Sequence, residues 1–118
     1  MNQVIELDAY EFNEKIASDK SAIIIDVRTF QEYNSGHIPN SILLDIYQPS
    51  FPEKILELDR EKNYLLYCRS GSRSYNAASF MLSNGFKNVN HLKDGILSWN
   101  KKLDLVFHVL ILQFFYFR

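Results

Sequence analysis

Hydrophobic positions along this chain fall into two kinds of run, and their alternation predicts its elements. Ala22-Ile23-Ile24-Ile25-Asp26-Val27 and Tyr64-Leu65-Leu66-Tyr67 are short and almost continuously apolar, the pattern of strands covered on both faces in a parallel sheet. Val4-Ile5-Glu6-Leu7, Ser41-Ile42-Leu43-Leu44-Asp45 and Val89-Asn90-His91-Leu92 read as further strands. Between them, apolar residues recur at helical spacing. Ala9, Phe12 and Ile16 share one face of a helix that Asp8 and Glu11 open as a capping box and that runs to about Ala17. Thr29 and Glu32 predict a second capped helix, stopping near Gly36, and Ser50 and Glu53 a third, carrying Ile55, Leu56 and Leu58 behind the breaks at Pro49 and Pro52. Ala77, Ala78, Phe80, Met81 and Leu82 predict a fourth, from about Ser72 to the stop at Asn84-Gly85, and Gly95 to Lys102 a fifth. Asp59-Arg60-Glu61-Lys62 reads as a solvated turn. Strand and helix alternate throughout, which predicts an α/β fold: a doubly wound, mainly parallel sheet flanked by helices.

The chemistry of the chain gathers where the second long apolar run ends. Cys68 is the only cysteine, and the polar loop Arg69-Ser70-Gly71-Ser72-Arg73 separates it from the fourth helix. A nucleophilic atom thus sits at the carboxyl end of a strand and the amino end of a helix. The reactive form of cysteine is the thiolate, and an ordinary thiol pKa of about 8.5 leaves little of it at neutral pH. Free amides at a helix N-terminus and nearby guanidinium groups stabilise the anion. Gly71 lets successive N–H groups turn toward one point, while Arg69 and Arg73 supply forked donors for an oxyanion. A lone cysteine ending a core strand is often an inert buried thiol, but two arginines and a glycine are hard to fit around one. Asp26 and Arg28 lie at the carboxyl edge of another strand, where open α/β sheets place ligands. Their blander reading is structural, with Asp26 accepting loop hydrogen bonds and Arg28 paired with Glu32. His37 invites a role as general base, which a thiolate already ionised does not require. His91, in a strand, and His108, near the C-terminus, make no case as ligands, and the three histidines lack metal-site spacing.

Composition narrows the rest. A chain of 118 residues, 47% hydrophobic and 23% charged, suits one domain with a real core. A net charge of −1 provides no global field for nucleic acid, so attraction for anions must be local. One cysteine excludes an internal disulfide and multi-cysteine zinc sites. The first residues lack the basic and apolar regions of a signal peptide, so the expected compartment is the reducing cytoplasm.

Taken together, the motifs resemble those of rhodanese-family sulfurtransferases. Cys68-Arg69-Ser70-Gly71-Ser72-Arg73 resembles that family's active-site loop, commonly C-R-[ST]-G-x-R. Asp26-Val27-Arg28, the stretch Glu32 to Ser41 with Gly36-His37-Ile38, and Asp94-Gly95-Ile96-Leu97-Ser98-Trp99 resemble its other segments, in order, with Asp94 replacing a glycine. The resemblance covers roughly residues 3 to 103. It implies a two-step cycle in which Cys68 takes sulfur from a small anion such as thiosulfate and passes it as a persulfide to cyanide or a thiol. Arg69, Ser70, Gly71, Ser72 and Arg73 would bind substrate, with Asp26, Arg28, Glu32 and His37 in support and no metal or organic cofactor. The partner could be a desulfurase or a sulfur-carrier protein. Two alternatives stay open: a cysteine-dependent phosphatase or arsenate reductase, and a non-catalytic binding module on the same fold. The phosphatases place arginine six positions after cysteine; here Arg73 is the fifth and Ser74 holds the sixth.

The C-terminus departs from the resemblance. The expected division is a domain over residues 1–103 and a hydrophobic tail over 104–118. From Leu105 to Phe117 only His108 and Gln113 are polar, and the run is short of the ~20 residues of a membrane-spanning helix. Such a surface needs cover; pairing between two copies of the chain is the first expectation, with packing on the chain's own domain and a membrane or another partner as the alternatives.

Overall fold

The computed structural model describes residues 3–105. Five strands, β1 (Ile5–Leu7), β2 (Ile23–Asp26), β3 (Ile42–Leu43), β4 (Asn63–Tyr67) and β5 (Asn88–Leu92), form one sheet in the order β1-β5-β4-β2-β3, with every neighbouring pair parallel. The helices are α1 (Ala9–Ser18), α2 (Phe30–Ser35), α3 (Phe51–Leu56) and α4 (Ser72–Ser83). The two long apolar runs became the interior strands β2 and β4, as strands buried on both faces must be. The shorter β1 and β3 lie at the edges, where Ile5 and Ile42 are exposed.

Side chains alternate between the faces of the sheet. Ile25, Val27, Leu66, Cys68 and Val89 point to the face covered by Phe51 and Ile55 of α3 and Ala77, Ala78 and Met81 of α4. Leu7, Ile24, Leu65, Tyr67 and Leu92 point to the other, closed by Phe12 of α1 and by Ile38 and Trp99. Phe12 is fully buried and meets Tyr67 and Trp99 edge-on, with ring centroids 6.4 and 5.9 Å away. Both capping boxes are present: Asp8 with Glu11, and Thr29 with Glu32.

Three expectations are corrected. The fifth helix shrinks to a single 3₁₀ turn, Ile96–Ser98. Gly95 has φ +68° and Trp99 is extended, so the chain turns back to seat Trp99 against Phe12 rather than coil onward. Ser50 makes no side-chain cap, because its own backbone is already helical and a cap residue needs an extended one. The strand expected over Ser41 to Asp45 is only Ile42–Leu43, since the Ser41 side chain turns inward to the Tyr67 hydroxyl, 3.0 Å away.

After Trp99 the chain returns to the α2–β3 turn. Asp104 and His37 exchange two backbone hydrogen bonds, of 2.8 and 3.0 Å, and Leu103 packs over Gly36. Apart from Asp104 and Leu105, the expected dimer-forming tail lies outside the described residues. Among those described, no helix is long and apolar enough to cross a membrane.

Candidate active site

Cys68 is the first residue after β4, and its parity with Leu66 and Tyr64 aims it at the α4 face. There it is almost wholly buried, under the first turn of α4. The Gly71 amide donates to Sγ at 3.1 Å and the Ser74 amide at 3.4 Å, while Ser74 Oγ lies 3.5 Å away. Burial pushes the thiol up, but hydrogen bonds from the Ser74 hydroxyl and from the Ser74, Gly71 and Ser70 amides outweigh it, leaving a net shift down. The anionic form is therefore stabilised relative to a free thiol, by the Ser74 hydroxyl and by amides fixed in the backbone, which need no rearrangement when charge develops.

A second segment braces the loop from behind. Ile96 N donates to the Cys68 carbonyl at 2.9 Å and Leu97 N to that of Arg69 at 3.2 Å. The two segments touch where both carry glycine in the positive-φ region. A Cβ on Gly71 (φ +111°) would stand 2.0 Å from the Lys93 carbonyl oxygen, and one on Gly95 (φ +68°) would stand 2.1 Å from that of Arg69. Asp94, where the resemblance has glycine, is exposed and free of positive φ, so a side chain fits there.

The two loop arginines differ. Arg73 donates through Nη1 and Nη2 to both carboxylate oxygens of Glu32, at 2.8 and 2.9 Å, and its guanidinium lies 5.7 Å from the centre of the Tyr47 ring. Those hydrogen bonds hold the Glu32 carboxyl down at about 2. Arg69 is exposed and has no ion-pair partner among the described residues. Ser70 and Ser72 are exposed on the same loop.

Asp26 and Arg28 pair with each other, correcting the expected Arg28–Glu32 pair. Arg28 Nε and Nη2 reach Asp26 at 2.7–3.1 Å, and Nη2 also donates to the Gly36 carbonyl at 2.7 Å. Parity explains it: Asp26 follows Ile24 onto the sheet face opposite Cys68, and Arg28 follows it, over the Tyr67 ring. This buried pair latches the turn that carries His37. His37 stacks on Tyr33, with ring centroids 3.7 Å apart, and its Nδ1 lies 2.9 Å from the Tyr33 carbonyl. Glu32 alone of these four supporting residues touches the loop.

Three contributors escaped the sequence reading: Ser74, Tyr47 and His91. Ser74 occupies the position where a phosphatase would carry arginine, and its helical register under Cys68 was the available signal. His91 is buried, with Nδ1 2.9 Å from Ser74 Oγ. Only the register of β5 against β4, which pairs it with Leu66, places it there. Among the described residues, no three His, Cys, Asp or Glu side chains converge as a metal site.

Known proteins resemble this chain over most of its described length. The rhodanese-like domain family model matches residues 8–102. A tRNA uridine(34) hydroxylase from Hamiltonella defensa is 38% identical over 111 residues, covering 88% of this chain but only 31% of that protein. A sulfurtransferase from Allochromatium vinosum is 30% identical over 96 residues, covering 81% of this chain and 88% of that one. The crystal structure of a rhodanese-related protein from Thermoplasma volcanium superposes with a TM-score of 0.73 at 32% identity, over 88% of this chain and 99% of that one.

Proposed function

The chain belongs to the rhodanese-like domain family, and from that premise we propose that it is a sulfurtransferase carrying sulfane sulfur on Cys68. The Cys68 thiolate attacks the outer sulfur of thiosulfate or a similar anion, the S–S bond breaks, and sulfite leaves with the electron pair. The resulting persulfide gives its outer sulfur to cyanide or to a thiol, small or borne on a sulfur-carrier protein. Arg69, exposed beside the nucleophile, draws and orients the donor anion. Arg73, tied to Glu32, holds the rim of the loop, with Ser70, Gly71 and Ser72 forming the cradle between them.

The observation that carries this reading is the set of main-chain amides donating to Sγ, with the net downward shift of its pKa. A buried inert thiol has no use for them. The spacing from Cys68 to Arg73 also argues against a phosphatase, because a loop one residue shorter suits a single sulfur better than a tetrahedral phosphate. A binding module would not need the complete loop.

Intact mass after incubation with thiosulfate tests the proposal. Cys68 should gain the mass of one sulfur atom, cyanide should remove it, and Cys68→Ser should abolish it. Folded protein that accepts sulfur from no donor would favour the binding module instead. The 38% identity with the tRNA uridine(34) hydroxylase supports a second reading, in which this loop serves modification of tRNA. Hydroxylated uridine 34 in tRNA incubated with the chain, without any persulfide on Cys68, would put that reading first.

A further inference from the structure

The buried imidazole of His91 takes no part in the sulfur chemistry just described, yet it stands in a continuous line from the thiol to the surface. Cys68 Sγ is 3.5 Å from Ser74 Oγ, and Ser74 Oγ is 2.9 Å from His91 Nδ1. His91 Nε2 is 3.3 Å from Glu6 Oε2. Strand register builds this line. In β5, His91 is paired with Leu66 of β4 on one side and with Glu6 of β1 on the other, all on the face beneath α4. Ser74, in the first turn of α4, drops between His91 and Cys68. The His91 side chain is 2% exposed and that of Glu6 45%, so the line runs from interior to solvent. It emerges in an open polar hollow of about 440 Å³ bordered by Glu6, Tyr75 and Ser79.

We propose that Ser74, His91 and Glu6 form a proton relay that couples ionisation of Cys68 to protonation of His91 and exchanges the proton with solvent at Glu6. His91 and Glu6 act through Ser74 and are positioning residues. Ser74 Oγ also lies 3.2 Å from the Gly71 carbonyl, a competing acceptor for its one proton; with that proton kept in the line, there are two hydrogen-bond polarities with the same number of protons. In one, Sγ–H donates to Ser74, the Ser74 hydroxyl donates to Nδ1 of a neutral His91, and Nε2–H donates to Glu6. In the other, the imidazolium donates to Ser74 and Ser74 donates to the thiolate. Burial pushes His91 down and the hydrogen bond to Glu6 pulls it only partly back, the net shift being down, so an anion at Cys68 would add to what Glu6 supplies in favour of the imidazolium. Among the described residues, Glu6 from β1, Cys68 at the end of β4 and the ring of Tyr75 on α4 are the titratable groups around it. Arg73, whose guanidinium pKa is held up chiefly by Glu32 and further by Cys68, is the charged neighbour on the loop side.

Given the sulfurtransferase reading, on which this consequence rests, the relay serves one half of the cycle. Cyanide attacks as the anion, having lost the proton of HCN to solvent before it enters; it removes sulfur from the persulfide as thiocyanate and leaves Cys68 as the thiolate, with no proton delivered to the site. A thiol acceptor, R–SH, forms R–S–S⁻ as the old S–S bond breaks, and its proton arrives on Cys68. Each turnover with a thiol therefore delivers one proton, while the acceptor occupies the mouth of the loop. The line through Ser74 leads it out by the other side.

The test begins without sulfur. The rate of Cys68 alkylation by iodoacetamide against pH should rise in two steps, as coupled sites do, and in a single step in His91→Asn. Glu6→Gln, at the half-exposed end where folding is not at risk, should move the lower step toward lower pH. By NMR, the His91 ring should titrate at least about half a unit higher in the parent than in Cys68→Ser, because a thiolate stabilises the imidazolium. Once sulfur transfer is established, His91→Asn should lower the ratio of thiol to cyanide turnover about tenfold. Identical His91 titrations in parent and Cys68→Ser would overturn the relay. Failure of persulfide formation would instead sink the sulfurtransferase reading and leave the alkylation result standing.

Discussion

At the scale of single residues, the loop assigns its two arginines different work. Glu32 grips Arg73 with both carboxylate oxygens and also serves as the reciprocal cap of α2. Its carboxyl lies at about 2 in the folded chain against an ordinary 4.5. The folded state thus binds this proton less readily than the unfolded one. The pair contributes in full above about pH 4.5, and the contribution is lost as pH falls toward 2. Glu32→Gln keeps the cap, since glutamine also fills that position, but weakens the grip. It should lower stability at neutral pH by about 1 kcal/mol, the upper range for a half-exposed pair, and the gap should close in acid. Denaturant midpoints of both proteins across that window measure it. Arg69→Ala should leave the midpoint unchanged and slow sulfur loading from thiosulfate roughly ten- to a hundred-fold, as loss of a charged hydrogen-bond partner does. Single-turnover loading measures that, and parental rates in Arg69→Ala would move donor recognition elsewhere on the loop.

At the scale of elements, the Cys68 loop is a strand–helix junction held in shape by the chain that follows β5. Two glycines permit the contact, each with positive φ and each facing a carbonyl oxygen at a distance no Cβ tolerates. Gly85 has positive φ as well, but a Cβ there would meet only Arg60 Cγ at 3.9 Å. Gly85→Ala should therefore cost only the strain of its backbone, on the order of 1–2 kcal/mol. Gly71→Ala and Gly95→Ala carry backbone strain too, greater at Gly95, whose ψ of −171° puts it in a region that glycine almost alone adopts, and both must also push two backbone segments apart. They should cost well over 3 kcal/mol. Thermal melts of the three variants give the ranking directly, and equal losses would show that the brace gives way easily. A Gly95→Ala protein that still folds should load sulfur poorly, because Ile96 and Leu97 would no longer hold the carbonyls of Cys68 and Arg69.

At the scale of the whole molecule, the sheet is closed on both faces, and the described chain ends by pairing with the α2–β3 turn. A chain ending at Leu103 loses both hydrogen bonds between His37 and Asp104. It should be less stable than one ending at Leu105 by about 1–3 kcal/mol, at roughly 0.5–1.5 kcal/mol for each bond. Melting temperatures of the two decide it. Light scattering should find the full chain dimeric and a chain ending at Leu105 monomeric, as expected of an apolar run such as Leu105 to Phe117. Monomers in both cases would remove the dimer.

Local chemistry written along the chain was enough for most of the elements, the central strands and the loop that carries Cys68. Short apolar runs bounded by polar turns fit interior strands, capping boxes act within one turn, and the loop's cysteine, glycine and arginines lie within six consecutive residues. Tertiary structure decided what depended on strand parity and register. A residue's face follows from where its strand pairs, and so Asp26 and Arg28 turned away from Cys68 while Glu32 reached Arg73 across the fold. Likewise the shortening of the last helix depended on Trp99 finding Phe12, a contact that no local pattern encodes. His91 is the clearest case. Its own strand reads as ordinary core, and only the pairing of β5 with β1 on one side and β4 on the other sets the imidazole between Glu6 and Ser74.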